Sequence, residues 1–297
     1  MTRRCGFVAL IGAPNAGKST LLNQMVGQKV AIVSHKVQTT RSRVTGIALH
    51  GDTQLIFVDT PGIFAPNKRL ERAMVQAAWS GAQDADEIVL LVDAQRGVDA
   101  PADAVIAGLT DHGVKAVLAL NKIDGIRRDT LLGLADTLYD PALFKQVFMI
   151  SARSGDGVGD LKAWLADQMP DGPWHYPEDQ VSDITQRLLA AEVTREKIYL
   201  RLHQELPYAI MVETEAFQER KDGSVRIEQV IHVARTSQKG IVIGKGGQTL
   251  KTLGEAARAD LEDMLQRKVH LFLHVRVTEN WADDREKYGL MGLDWVR

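Results

Sequence analysis

Five short stretches carry residues whose types and spacing suit one chemistry, the binding and cleavage of a nucleoside triphosphate. Gly12-Ala13-Pro14-Asn15-Ala16-Gly17-Lys18-Ser19 fits G-x4-G-K-[ST] between an apolar run at 7–11 and a helical pattern at 19–26. Glycines let such a loop wrap a polyphosphate so that backbone N–H groups point inward, and the following helix adds its partial positive charge. Gly12, Asn15, Ala16, Gly17, Lys18, Ser19 and Thr20 are the candidate phosphate contacts. Lys18 is expected to bridge the β- and γ-phosphates, and the Ser19 hydroxyl to ligate Mg²⁺. Asp59-Thr60-Pro61-Gly62 ends a second apolar run, where the carboxylate can hold Mg²⁺ through a water and the Gly62 N–H can face the γ-phosphate. Asn121-Lys122-Ile123-Asp124 ends a third run. A carboxylate at Asp124 can accept from both N1–H and N2–H₂ of guanine, which adenine cannot offer, so the substrate narrows to GTP with GDP as product. Ser151-Ala152 follows a fourth run, where a loop N–H can meet the guanine O6. Gln38-Thr39-Thr40-Arg41 offers a Thr hydroxyl to complete the Mg²⁺ shell; Thr40 is preferred over Thr39. Lys18, Thr40 and Gly62 are thus the candidate catalytic residues.

These motifs need strands ending in loops on one edge of a sheet. Apolar runs at 7–11, 55–58, 88–92, 116–120 and 147–150 alternate with helical patterns at 70–83, 102–110, 130–138 and 158–168. That alternation predicts an α/β P-loop domain with a doubly wound, mostly parallel sheet over 1–168. A hairpin of 44–50 with 54–58 adds one antiparallel edge strand. Residues 169–182 contain Pro170, Gly172, Pro173 and Pro177 and read as a flexible linker. The remainder, 183–297, reads as helix, two strands, two helices and a strand with a short tail, an α+β domain.

Within the second domain, Gly244-Lys245-Gly246-Gly247 matches the GxxG loop of KH domains, which clamps single-stranded nucleic acid. No acidic residue occurs from Gln229 to Gly254, while Arg235, Lys239, Lys245 and Lys251 fall inside that stretch. The candidate RNA contacts are these four cations with Ile243, Gly244, Gly246 and Gly247. Ile241, Val242 and Ile243 can floor the bases or belong to the core, and Trp281, Tyr288 and Trp295 are expected to pack the tail rather than stack on bases.

Composition excludes other classes. The 297 residues carry 36 Lys and Arg against 38 Asp and Glu, so an RNA site must be a local patch rather than a polycationic domain. The single Cys5 precludes an internal disulfide and fits a reducing cytoplasm. No apolar run reaches the roughly 18 residues of a membrane span, no signal segment is recognisable, and the eight histidines lack metal spacing. Two rival readings remain open: an RNA-binding protein with an inactive nucleotide domain, and a GTPase whose second domain binds protein or membrane.

The nucleotide motifs in this order resemble those of translation-factor-like GTPases. Ile63 follows Gly62 where Ras-like enzymes carry a water-orienting Gln. Asn15 and the Thr39-Thr40-Arg41 loop look like those of GTPases that use K⁺, so Asn15 either helps hold K⁺ or shapes the turn. The whole chain, including Trp281-Ala282-Asp283-Asp284, resembles the Era family of bacterial GTPases with a C-terminal type II KH domain. Ala16 and Arg153 depart mildly from that family's pattern, where Val and Lys are usual. The resemblance implies binding to the 3′ end of small-subunit ribosomal RNA and a role in assembling that subunit. It also implies a cytoplasmic protein with peripheral association at the inner membrane. A monomer is the default expectation.

Overall fold

A computed structural model describes residues 3–36, 39–41, 43–202 and 206–296. Gln38 of the predicted Thr-bearing loop lies outside the described residues. The chain divides into two compact units, one from the described residues of 3–31 and 40–183 with Val296, the other from Ile32–Thr39 and Ile184–Trp295.

The first unit is built on β1 (Arg4–Gly12), β2 (Val44–His50), β3 (Thr53–Asp59), β4 (Glu87–Asp93), β5 (Ala116–Asn121) and β6 (Phe144–Ile150). The sheet order is β2-β3-β1-β4-β5-β6, and only β2 runs antiparallel to its neighbour, as the predicted hairpin requires. Helices α1 (Lys18–Val26), α2 (Arg69–Gln83), α3 (Ala100–His112), α4 (Arg128–Leu138) and α5 (Val158–Gln168) connect the strands. The period-2 geometry of β1 divides its side chains between two cores. Val8 and Leu10 join Leu21, Leu22 and Leu161 on one side, while Ala9 and Ile11 join Ala78, Val105 and Leu131 on the other. Both faces are therefore covered, which is why the central strands read as unbroken apolar runs.

The segment predicted to be a flexible linker is instead laid along the first unit. Arg4 pairs with Asp171 and Gly46 with Ser182 in isolated antiparallel bridges, and the Ile47 N–H donates to the Val181 carbonyl at 2.8 Å. Gln54, wholly buried, accepts from the N–H groups of His175 (2.9 Å) and Tyr176 (3.1 Å) and donates to the Tyr176 carbonyl (2.9 Å). The strap is accepted by the open edge of β2 at Gly46 and Ile47, whose backbone groups are otherwise unpaired on that side, and by the buried Gln54 amide. Composition rich in Pro and acid excluded a helix here and did not exclude docking.

The second unit packs α6 (Gln186–Arg201), α7 (Thr236–Ile243) and α8 (Gln248–Leu265) on a sheet of β7 (Ile210–Glu219), β8 (Val225–Val233) and β9 (Val269–Val277), in the order β7-β8-β9. Its cores include Ile198, Ile231, Val242 and Leu253 in one cluster and Val193, Ile227 and Leu261 in another. Val242 therefore belongs to the core, whereas Ile241 is exposed. In the tail, α9 (Arg285–Leu290) follows Trp281, whose indole N–H donates to the Ala209 carbonyl at 3.0 Å. Trp281 and Tyr288 are buried, and the Tyr288 and Trp295 rings meet edge to face at 4.8 Å, so the tail packs rather than presenting open rings. The stretch Ile32–Thr39 closes on α6: Glu196 accepts from the Val33 N–H at 2.9 Å, and Arg195 donates to the Thr39 carbonyl.

Candidate nucleotide and RNA sites

The loop between β1 and α1 needs backbone that few residues adopt. Gly12 and Gly17 stand at φ +150° and +104°, and a Cβ at Gly17 would lie 2.2 Å from Asn121 Nδ2. Glycine is required there by both conformation and close approach. Asn15 is left-handed at φ +66°, a conformation Asn tolerates better than most residues. Lys18 folds its ammonium back onto the Gly12 and Ala13 carbonyls at 3.0 and 3.1 Å. Burial lowers its pKa from 10.5 to about 8, partly offset by the charge of Asp59. A polyphosphate placed in this loop would restore the countercharge that burial removed.

Opposite Lys18, three predicted metal residues converge. Ser19 Oγ donates to Asp59 Oδ2 at 2.6 Å, Thr40 Oγ1 lies 3.2 Å from the same oxygen, and the two hydroxyls are 2.8 Å apart. Thr39 is turned elsewhere, its hydroxyl on the Lys36 carbonyl at 2.7 Å and beside Ser34. Asp59 is wholly buried, and its Oδ1 is a buried acceptor with no hydrogen-bond partner among the described residues. Burial raises its pKa from 3.8 to about 6 against the pull of Lys18, Ser19 and Thr40. Two hydroxyls and a carboxylate, one oxygen of which is buried and unsatisfied, form a hard-oxygen donor set that suits Mg²⁺. Among the described residues no cluster of three His, Cys, Asp or Glu offers another metal site.

Gly62 is pressed on the phosphate loop: a Cβ there would meet three atoms of Pro14 at 3.0 Å. The next residue, Ile63, is buried and donates its N–H to the Gly12 carbonyl at 3.1 Å.

Three loops meet where guanine recognition was predicted. Asn121 donates to the Ala16 carbonyl at 2.8 Å and accepts from the Ala152 N–H at 2.9 Å, joining the phosphate loop to the loop after β6. Ser151 Oγ donates to Asp124 Oδ1 at 2.7 Å, leaving the exposed Asp124 oriented. Lys122, left-handed at φ +69°, pairs with Asp93 at 2.6 Å. No motif flagged Asp93; it closes the apolar run at 88–92, and only the β4–β5 register places it opposite Asn121.

In the second unit the GxxG stretch joins α7 to α8. Gly244, Gly246 and Gly247 all have positive φ, and a Cβ on Gly244 would lie 2.1 Å from Thr249 Oγ1. The loop lies against the N-terminus of α8, whose unpaired N–H groups favour a phosphate. Arg235, Lys245 and Lys251 are exposed and Lys239 partly so, and none of the four forms an ion pair among the described residues. Ile243 is half-buried beside them.

A phosphate loop, a hydroxyl–carboxylate metal site and a guanine-type turn on a doubly wound sheet, followed by a GxxG domain, define a P-loop GTPase joined to a KH domain. Family models agree: that described as 50S ribosome-binding GTPase matches residues 7–122, and that of the KH domain matches 205–282. The chain belongs to the Era family of GTPases. It is 59% identical to GTPase Era of Rhizobium meliloti over 99% of this chain and 94% of that protein, and 59% identical to GTPase Era of Caulobacter vibrioides over 98% and 97%. Among solved structures, a variant of Aquifex aeolicus Era bound to GDP·AlF₄⁻ is 36% identical with a TM-score of 0.92, covering 97% of this chain and 99% of that one. An Era complex with MgGDPNP and nucleotides 1506–1542 of 16S ribosomal RNA is also 36% identical with a TM-score of 0.92, over 98% and 99%. Among the described residues no helix is long and apolar enough to cross a membrane.

Proposed function

We propose that this GTPase binds the 3′ end of small-subunit ribosomal RNA through its GxxG loop, in a manner set by the bound nucleotide, and so acts in assembly of that subunit. The observation that carries the RNA reading is the pairing of Gly244–Gly247 at the start of α8 with four cations that have no acidic partner among the described residues. The relative solved with a 16S ribosomal RNA fragment supports the choice of RNA.

In the nucleotide half, the phosphate-loop N–H groups and Lys18 hold the polyphosphate, and Asp124, steadied by Ser151, reads the guanine edge. Ser19, Thr40 and Asp59, the last through a water, would hold Mg²⁺, which when bound neutralises charge on the β- and γ-phosphates. The Gly62 N–H, in the loop after β3 beside Pro14, would face the γ-phosphate. Ile63 cannot orient water, so the solvent nucleophile must be positioned by other groups. Asn15 is assigned to a K⁺ ion that neutralises transition-state charge. Replacing K⁺ by Na⁺ is then expected to lower turnover at least several-fold, and equal rates in the two buffers would leave Asn15 as a turn residue only. Cytoplasmic residence with peripheral association at the inner membrane, and a monomeric state, complete the reading that the family resemblance supports.

The RNA reading is tested with Lys245→Asp combined with Gly246→Asp. Gly246 is left-handed at φ +60°, a conformation that Asp tolerates better than most residues, and no atom lies within 4 Å of a Cβ built there; a circular-dichroism spectrum and melting temperature matching wild type would show that the double variant folds. It should hydrolyse GTP alone at the wild-type rate and lose affinity for a ribosomal-RNA 3′-end oligonucleotide at least tenfold. Retained RNA binding would return the second domain to a protein- or membrane-binding role.

A further inference from the structure

We infer that Asp93 is a positioning residue for guanine selectivity, acting through Lys122 on the turn that presents Asp124. The inference rests on the assignment of Asp124 to the guanine edge given above. β4 and β5 are parallel neighbours with Asp93 in register with Asn121, and the Ala94 N–H donates to the Asn121 carbonyl at 2.9 Å. The end of β4 is thereby fixed against the start of the Asn121–Asp124 turn. Asp93 Oδ2 takes the Lys122 ammonium at 2.6 Å, and Oδ1 accepts the Gln95 N–H at 3.0 Å. The Asp93 side chain is only 11% exposed and Lys122 33%, so water screens this pair less than it would two surface residues. Arg96 Nε, at 3.8 Å, adds a second cation beside the carboxylate.

Lys122 needs such a partner because its backbone sits at φ +69°, ψ +35°, where a long side chain is disfavoured. The turn continues through a 3₁₀ step in which the Gly125 N–H donates to the Lys122 carbonyl at 3.2 Å. Gln95 Nε2 approaches that carbonyl at 3.4 Å, and a Cβ on Gly125 would strike Gln95 Nε2 at 1.9 Å. The turn is therefore braced from two sides, by Ser151 on Asp124 and by Asp93 with Gln95 on Lys122. Losing the Asp93 charge frees Lys122 and lets its backbone relax, which moves Asp124 relative to the purine. A two-point acceptor tolerates such movement poorly, whereas the phosphate contacts of the loop before α1 are untouched. The expected defect thus lies in base recognition rather than in bond cleavage.

The test is steady-state hydrolysis of GTP and ITP by the full chain with Asp93→Asn. Hypoxanthine lacks the exocyclic amino group, so the GTP:ITP ratio of kcat/KM reports the second Asp124 contact. The variant is expected to raise KM for GTP about tenfold with kcat within about twofold, and to shrink the GTP:ITP ratio about fivefold. Asp93→Glu, which keeps the charge one methylene further out, should give an intermediate ratio and carries the test if the Asn variant does not fold. A lowered melting temperature with an unchanged KM and GTP:ITP ratio would overturn the proposal, leaving Asp93 a purely structural ion pair. A parallel Asp124→Asn variant separates the underlying assignment. It should exchange GTP for XTP, and retention of GTP preference there would sink the reading of Asp124 and the Asp93 proposal with it.

Discussion

At the scale of single residues, Asp59 and Lys18 are the two charges the fold places least comfortably. Each is buried and shifted toward its neutral form, Asp59 up to about 6 and Lys18 down to about 8. A carboxyl must be ionised to assist a cation, so protons and Mg²⁺ compete at Asp59. Well above pH 6 the free carboxyl is ionised and Mg²⁺ meets little competition from protons; as pH falls through about 6, protonation removes the ligand's charge. Mg²⁺ affinity of the GDP-bound protein, measured for wild type and for Asp59→Asn, should differ most at pH 8 and converge toward pH 5. A constant difference across that range would contradict the titration of Asp59. That Asp59, Lys18 and Ser19 come together is legible in sequence because each belongs to a contiguous motif at the end of a strand or the start of a helix. The place of Asp93 is not, because its partner Lys122 lies 29 residues away and only strand register brings them together. The choice of Thr40 over Thr39 likewise follows from side-chain direction, with Thr40 on Asp59 and Thr39 on Lys36.

Element scale exposes where composition misleads. The alternation of apolar runs and helical patterns marked every strand of the first sheet and the antiparallel hairpin, since buried parallel strands and amphipathic helices have distinct periods. The stretch 169–182 misled because Pro, Gly and acidic residues exclude helix without saying whether the chain stays free. What captures it is Gln54, a polar residue inside an otherwise apolar strand, together with Trp174, whose indole N–H donates to the Asp52 carbonyl at 3.0 Å under the Arg3 guanidinium. Gln54→Leu keeps the volume and removes three hydrogen bonds to the strap. It is expected to destabilise the protein by about 1–3 kcal/mol, since part-buried backbone groups of the strap lose their partner. Amide exchange at Tyr176, and at Ile47 whose N–H donates to the Val181 carbonyl, should accelerate selectively, and unchanged protection there would show that the flanking bridges suffice to hold the strap.

At the scale of the molecule, the stretch 169–182 lies on the first unit rather than forming the free tether that the sequence suggests. The proposed link between nucleotide and RNA rests instead on Ile32–Thr39, which clusters with α6 and runs directly into Thr40. In the proposed switch, Mg²⁺ held by Thr40 would act on that segment through the peptide bond between residues 39 and 40. Nucleotide that orders this segment would then alter RNA affinity, and linkage requires RNA to alter nucleotide affinity by the same factor. Arg195→Ala, which removes the donor to the Thr39 carbonyl, is expected to reduce that coupling while leaving RNA affinity in the GDP state within about twofold. An unaltered nucleotide effect in that variant would place the coupling elsewhere. The most direct test of a nucleotide-linked RNA switch is the affinity of a ribosomal-RNA 3′-end oligonucleotide for protein loaded with a non-hydrolysable GTP analogue and then with GDP. Binding at least fivefold tighter in the GTP-like state is the expected result; equal affinity in both states would contradict the switch and leave two activities that merely share a chain.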